Sequence, residues 1–405
     1  MSQTHSQDTT AGLESLMAIT PRPDAVMVRG RGSHLWDAEG RRYLDFVQGW
    51  AVNALGHCPP EILDALGTQA GQLIHAAAAF HNAPQLDLAR ALTDACGLDE
   101  VFFCNSGAEA NEGAIKLARK WGQLHRGGAS TILTTEGSFH GRTLATMAAS
   151  GKPRFAERFP PAVPGFRHVP FGDAHAVEAA IDAHTVAVMV EPIQGEAGVV
   201  VPPDGYLGAL RELTRDRGVL LICDEIQTGM GRTGALFCHQ HDGVVPDIMT
   251  LGKGLGGGVP LAALLCTRAT ASFEPGDQGG TFNGNPLMTA VGLAVLRAVT
   301  RDGLLDDVNA TGAYLQQRLQ QLGEAHGAQT RGRGLLVAMV LRDAVAPRVR
   351  DLCMERGVLI NAAQPDVLRF MPALNVTRDH VDDLINTLRG ALEDAHLQRV
   401  APSRE

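Results

Sequence analysis

Hydrophobic and polar positions change period along this chain of 405 residues. Between residues 26 and 47 apolar and polar positions alternate and Gly-rich turns break the alternation, which predicts short strands. From about residue 60, short continuous apolar runs alternate with helical stretches. The runs are Val101–Cys104, Thr131–Thr134, Val186–Val190, Val219–Cys223, Ile248–Leu251 and Leu261–Cys266. They are rich in Val, Ile and Leu, as in strands buried on both faces of a mostly parallel sheet. Ala108–Trp121 and Tyr206–Arg217 read as two of the helices between them. Beyond residue 287 one long helical stretch runs through Leu322, then a strand at Leu335–Leu341 and a helix near Arg348–Arg356. A last helix starts after Thr377, a residue type suited to an N-cap, with Val381, Leu384, Ile385, Leu388 and Leu392 on one face. The expectation is an α/β protein. A large domain, residues 61–295, carries the sheet, and a smaller α+β domain is built from residues 1–60 and 296–405.

Composition narrows the class. Hydrophobic residues make up 45% and charged residues 20%, as in an ordinary globular protein. Against 44 acidic residues there are 35 basic ones, a net charge of −9. That excludes nucleic-acid binding by a broad basic face and a polybasic membrane anchor. No apolar run approaches the roughly 20 residues that span a bilayer. The opening residues Met1–Thr10 are polar and lack the apolar core of a secretion signal, and residues 1–20 are expected to enter the fold gradually. Seven Cys are scattered with no C-x-x-C pair, so they read as reduced, mostly buried thiols, and no metal site is expected. A cytoplasmic protein with neither a nucleic-acid nor a membrane partner follows.

The basic residues divide unevenly: only Lys116, Lys120, Lys152 and Lys253 are lysines, so chemistry that needs a primary amine has four candidates. Lys116 and Lys120 stand one helical turn apart, with Glu112 one turn before, and read as a solvated face. Lys152 lies in the turn Ser150-Gly151-Lys152-Pro153. Lys253 follows a strand and is embedded in Leu251-Gly252-Lys253-Gly254-Leu255-Gly256-Gly257-Gly258. Loss of solvent there lowers an amine's pKa and frees it as a nucleophile. Two further strand ends carry chemistry. Asn105-Ser106-Gly107-Ala108-Glu109 opens a helix after Val101–Cys104, a place where backbone N–H groups and the helix dipole accept a phosphate, or where Ser simply caps the helix. Asp224 follows Val219–Cys223, where open α/β sheets bind ligands; it could hold a ring nitrogen protonated or merely cap a turn. A phosphate cradle, a strand-end Asp and a Gly-flanked Lys, in that order, suggest pyridoxal 5'-phosphate.

These residues lie within longer motifs: NSGAEANEGAIKLAR, SFHGRT, EPIQGEAGVVVPPDGYL, DEIQTGMGRTG, LGKGLGGGVPL and GTFNGNP. In them, and over nearly its whole length, the chain resembles the class III (ω-) aminotransferases of pyridoxal-phosphate fold type I, in the acetylornithine and ornithine aminotransferase group. The resemblance implies a seven-stranded, mostly parallel sheet in the large domain and a homodimer with active sites at the subunit interface. It implies that Ser106, Gly107 and Ala108 bind the cofactor phosphate, that Phe139, next to His140, stacks on the pyridine ring, and that Asp224 pairs with the ring nitrogen. Gln227 would lie near the ring hydroxyl, and Lys253 would bond the cofactor aldehyde and move the proton. Thr281 would reach the phosphate of the neighbouring subunit. Arg142 would bind a substrate carboxylate, and Arg369 the α-carboxylate of glutamate or 2-oxoglutarate. Glu196 would pair with Arg369 while an ω-amine is bound.

The donor rests on fewer residues. GEAGVVVPPDGYL looks like ornithine δ-aminotransferases. Those enzymes carry a Tyr where this chain has Gly49, and a Gly there leaves room for an N-acyl group. GTFNGNP departs from the usual G-G-N-P form through Asn283. The expected reaction moves the δ-amino group of N2-acetyl-L-ornithine to 2-oxoglutarate. Ornithine, succinylornithine, N-succinyl-diaminopimelate or 4-aminobutyrate as donor are alternatives, followed by an aminomutase of the same fold and a non-catalytic cofactor-binding protein.

Overall fold

The computed structural model describes residues 12–400. The expectations for the polar opening segment fall largely on residues 1–11, outside the described residues. At the centre is a seven-stranded sheet. Its strands lie in the order Glu100–Cys104, Ala262–Cys266, Ile248–Leu251, Leu220–Asp224, Thr185–Val190, Thr131–Thr135 and Phe166–Val169. Ala262–Cys266 runs antiparallel to both neighbours, so the other six share one direction. Thr185–Val190 and Leu220–Asp224 are buried at every position, which is why their sequences show no polar alternate face.

Helix Gly107–His125 lies across this sheet and buries Ala114, Leu117 and Ala118 against Ile132, Val186 and Ile222. Gly122 sets how closely it approaches: a Cβ there would stand 2.1 Å from the Ala129 carbonyl oxygen and 2.6 Å from Val186 Cγ2. Two smaller four-stranded sheets complete the fold. One pairs Met27–Arg31, His34–Asp37 and Arg42–Asp45 with Val358–Leu359, stitching the two ends of the chain together. The other is antiparallel, ordered Gln329–Arg333, Leu336–Val340, Val367–Phe370 and Asn361–Gln364. The last helix, Arg378–Val400, buries the five apolar positions expected of it, and Thr377 Oγ1 accepts from the His380 N–H at 3.4 Å.

The structure differs from the sequence expectations in three places. The strand Phe166–Val169 went unread because it is short, lies at the sheet edge and exposes its two central residues. The long stretch after residue 287 is two helices, Pro286–Val299 and Leu304–Glu324, separated where Gly303 takes φ +86°. Lys116 and Lys120 do not simply face solvent. Lys116 Nζ donates to the Asp277 carbonyl and Gln278 Oε1, both at 2.6 Å, and Lys120 pairs with Glu274 and Asp277. Six cysteines are buried, and Cys58 is exposed. Among the described residues, no helix is long and apolar enough to cross a membrane.

Gly122→Ala should cost about 1–3 kcal/mol, because a helix and a strand would have to separate to admit the methyl group. Urea unfolding checks this, and an unchanged midpoint would contradict the packing argument.

Candidate active site

Strands that share a direction end at a common edge, and the segments following five of them converge there on a cavity of about 270 Å³. Gly107 and Ala108 contribute from the helix after Glu100–Cys104, and Phe139, His140 and Arg142 from the loop after Thr131–Thr135. Glu191 and Glu196 follow Thr185–Val190; Asp224, Ile226 and Gln227 end or follow Leu220–Asp224; Lys253 follows Ile248–Leu251.

Asp224 is 3% exposed and fully engaged. Its Oδ2 accepts from Asn111 Nδ2 at 2.8 Å and lies 2.8 Å from His140 Nδ1, and its Oδ1 accepts from the Ile226 N–H at 3.1 Å. Asn111 is itself fixed, donating to the His140 carbonyl at 2.7 Å and accepting from Thr250 Oγ1 at 2.8 Å. With Nδ1 donating to the carboxylate, the ring's Nε2 is a buried atom without a partner. Glu191 is a second buried carboxylate, accepting from the N–H groups of Phe139 at 3.0 Å and Gly195 at 3.3 Å. Burial above all, together with the charge of Asp224, pushes its carboxyl up to about 7, against the pull of His140 and those N–H donors.

Lys253 occupies the left-handed region at φ +41°, where a side chain is strained. Gly252 before it lets the segment close to 3.5 Å between its would-be Cβ and Gly107 Cα. Burial lowers the Lys253 amine from the usual lysine range; Arg369 adds to this, while Glu196, Asp224 and Glu191 oppose it. Arg369, on Val367–Phe370, is 1% exposed and held by three acceptors. Its Nε donates to Asn361 Oδ1 at 3.0 Å, Nη1 to Gln227 Oε1 at 3.2 Å and Nη2 to Glu196 Oε1 at 2.8 Å. Burial alone would raise the Glu196 carboxyl, but Arg369, Lys253 and Lys152 together hold it below the usual range. Gly195 admits Gln227: a Cβ at 195 would stand 1.8 Å from Gln227 Oε1. With that oxygen turned to Arg369, Gln227 Nε2 is buried without a partner.

The remaining expected residues fall less centrally. Ser106 is exposed and spends its Oγ capping the helix, accepting from the Glu109 N–H at 3.2 Å. Thr281 is exposed on a turn outside the cavity lining of its own chain. Asn283 on that turn accepts from Asn105 Nδ2 at 2.9 Å, tying it to the Asn105–Gly107 segment. Gly49 is exposed in a left-handed turn, φ +62°, flanked by Gln48, Trp50 and Ala51, which also take positive φ. Sequence reasoning missed Asn111, Thr250 and Glu191. Asn111 carried a signal, since an amide in a helix interior needs a partner there, and it lies one turn from Gly107 on the same face. Glu191 ends an apolar strand as Asp224 does.

Residues 18–392 match the model of one family, the class-III aminotransferases. The chain belongs to that family. It is 53% identical over 389 residues to the acetylornithine aminotransferase of Ralstonia nicotianae, covering 94% of this chain and 98% of the relative. Among solved structures it superposes on the Toxoplasma gondii ornithine aminotransferase with a TM-score of 0.91, at 34% identity over 95% of this chain and 94% of the other. The N-acetylornithine aminotransferase of Stenotrophomonas maltophilia gives 0.82 at 39% identity, covering 93% and 98%. The fold is fold type I and the cofactor is pyridoxal 5'-phosphate. The cavity suits that group. Gly107 and Ala108, which line it, open a helix, and the N–H groups of a helix's first residues have no partner within the helix, an arrangement that suits a phosphate. Ile226 Cδ1 would lie 2.8 Å from a Cβ at 107, so a side chain there would be crowded. Two buried nitrogens, on His140 and Gln227, lack partners, and no hydrogen bond engages Lys253 Nζ among the described residues.

Asn111→Ala should weaken pyridoxal phosphate binding about tenfold, because Asp224 loses a donor and Thr250 an acceptor at one stroke. Fluorescence titration of apoenzyme measures it, and unchanged affinity would show that Asn111 does not position Asp224.

Proposed function

We propose that this aminotransferase moves the δ-amino group of N2-acetyl-L-ornithine to 2-oxoglutarate, giving N-acetyl-L-glutamate 5-semialdehyde and L-glutamate, a step of arginine biosynthesis. The observation that carries the reading is the buried Arg369 masked by Glu196 at 2.8 Å. A transaminase must accept two unlike substrates in one cavity. With Glu196 in place, the charge of Arg369 is cancelled and a chain ending in an amine fits beside it. When a dicarboxylate arrives, its α-carboxylate displaces Glu196 and takes the bidentate geometry that a guanidinium offers. Arg142, at the cavity wall, receives the remote carboxylate of either substrate. The likeness to the Ralstonia enzyme supports the N-acetylated donor. Ornithine is the second reading, favoured by the high structural similarity to the Toxoplasma enzyme.

When bound, pyridoxal phosphate supplies an aldehyde that bonds to amines and a ring that accepts the electron pair released at the substrate carbon. In this reading Asp224 holds a proton on the ring nitrogen, and Asn111 and His140 keep its carboxylate aimed. The Gly107 and Ala108 N–H groups bind the phosphate, with Ser106 at the helix cap. Gln227 Nε2 would donate to the ring hydroxyl, and Phe139 would cover the ring and exclude water. Lys253 Nζ would bond the cofactor and move the proton, and its burial favours the unprotonated amine that both roles need.

The dimer belongs to the same proposal. Ile74, Phe80 and Phe282 are 57%, 69% and 60% exposed, and His75 touches Phe282 with ring centroids 5.6 Å apart. A second copy of the chain covers this apolar surface and brings Thr281 to its partner's phosphate. Residues 61–295 form the cofactor-holding domain, residues 1–60 and 296–405 form the domain that carries Arg369, and the enzyme works in the cytoplasm.

A panel of donors against 2-oxoglutarate tests the reading. N-acetylornithine should give the highest kcat/KM, and a clear preference for ornithine would transfer the assignment to the second reading. Lys253→Ala should abolish transamination and the borohydride-fixed attachment of cofactor to the chain, and retained attachment would refute its role. Arg369→Lys should raise KM for 2-oxoglutarate at least about tenfold while changing the acetylornithine half-reaction far less. Equal losses in both halves would argue against the Glu196 mask.

A further inference from the structure

Lys152 read as a turn residue in the sequence, and the structure gives it a different setting. It lines an adjoining cavity with Ser150, Phe166 and His168. Its ammonium lies 4.9 Å from the centroid of Phe139, a ring that lines the active-site cavity. The Arg142 guanidinium stands 5.8 Å from the same centroid and 5.9 Å from that of Phe155. Two cations thus share one aromatic ring at the cavity wall. Neither pairs with a carboxylate among the described residues, whereas Arg369 and Lys120 both do.

Arg142 is exposed to solvent, but Lys152 is half-buried, and a half-buried cation with only a π face beside it recovers little of its lost hydration. Burial lowers the Lys152 amine, opposed by the charges of Glu196 and Glu191 across the cavity, and Arg369 is also within its electrostatic reach. The anion that completes the arrangement is therefore one that enters the cavity. On the proposed reaction, which this inference rests on, Arg369 stays masked by Glu196 while the amine donor is bound. The donor's carboxylate, remote from its amine, then meets only Arg142 and Lys152.

We propose that Lys152 is a specificity-determining residue that, with Arg142, clamps the substrate carboxylate remote from the reacting nitrogen. The ligand class is an ω-amino carboxylate. The lysine adds a mobile point charge to the planar fork of the arginine, so carboxylates differing slightly in reach are held equally well.

The test compares wild-type holoenzyme with Lys152→Gln and Lys152→Arg. The donors are N-acetylornithine and pentylamine, an amine of matching length with no carboxylate. Lys152→Gln should raise KM for N-acetylornithine roughly tenfold, with kcat changed less than about threefold. The pentylamine half-reaction, followed by absorbance in single turnover, should move less than about twofold, and Lys152→Arg should recover most of the lost affinity. An unchanged KM for N-acetylornithine overturns the proposal. So does an equal loss with both donors, which would mark a structural role. If wild-type enzyme prefers another ω-amino carboxylate, the function proposed above fails while this comparison proceeds with that donor in place of N-acetylornithine.

Discussion

A carboxylate buried at the end of a strand is the constraint around which this site is organised. Taking a carboxylate out of water costs several kcal/mol unless donors replace the lost hydration. Asp224 finds three: Asn111, His140 and its own chain at Ile226. Each comes from a different segment, so the condition that makes burial tolerable also fixes their relative positions. Asn111 brings in the helix Gly107–His125, and through Thr250 the strand that precedes Lys253. His140 brings in the loop that bears Phe139 and Arg142. One charge therefore fixes the relative positions of the helix start at Gly107, the loop bearing Phe139 and the strand before Lys253.

The second organising feature is a near balance of opposite charges inside one cavity. Asp224, Glu191, Glu196, Lys253 and Arg142 line it, and Arg369 and Lys152 stand close enough for their charges to act on those groups. Arg369 has an acceptor for each of its three nitrogens. Two of these partners, Asn361 and Gln227, are neutral amides. Only Glu196 is charged, and 31% of its side chain is exposed against 1% for Arg369. It can leave toward solvent at lower cost than the guanidinium can, so any exchange of partners at this pair falls to the glutamate.

The sequence displayed the sheet because doubly buried strands leave continuous apolar runs. It hid Phe166–Val169 because an edge strand with two exposed positions looks like loop. It displayed Asp224 and Lys253 because strand ends flanked by Gly or acid stand out by position. Asn111 was less visible, since its meaning depends on which way a helix faces and on a strand more than a hundred residues away. The setting of Lys152 was hidden for the same reason: a turn residue is placed by tertiary structure, and its ring partner is thirteen residues earlier in the chain. Asn283, with no meaning in sequence, proves to bridge to Asn105 across 178 residues.

The backbone at Lys253 shows why this lysine needs glycine on both sides. A lysine at φ +41° is held there only if its neighbours over-determine the path. On one side Gly252 is extended and packs against Gly107 and Ile226, leaving no room for a side chain larger than a methyl group. On the other, a Cβ at Gly254 would lie 3.1 Å from Met230 Cβ. The turn is thereby pressed between the helix start at Gly107 and the segment following Asp224. Strain that would relax in a free loop is retained, and the amine is presented to the cavity in one orientation. The same close packing removes water from the amine, so geometry and basicity at Lys253 are set by a single arrangement of small residues.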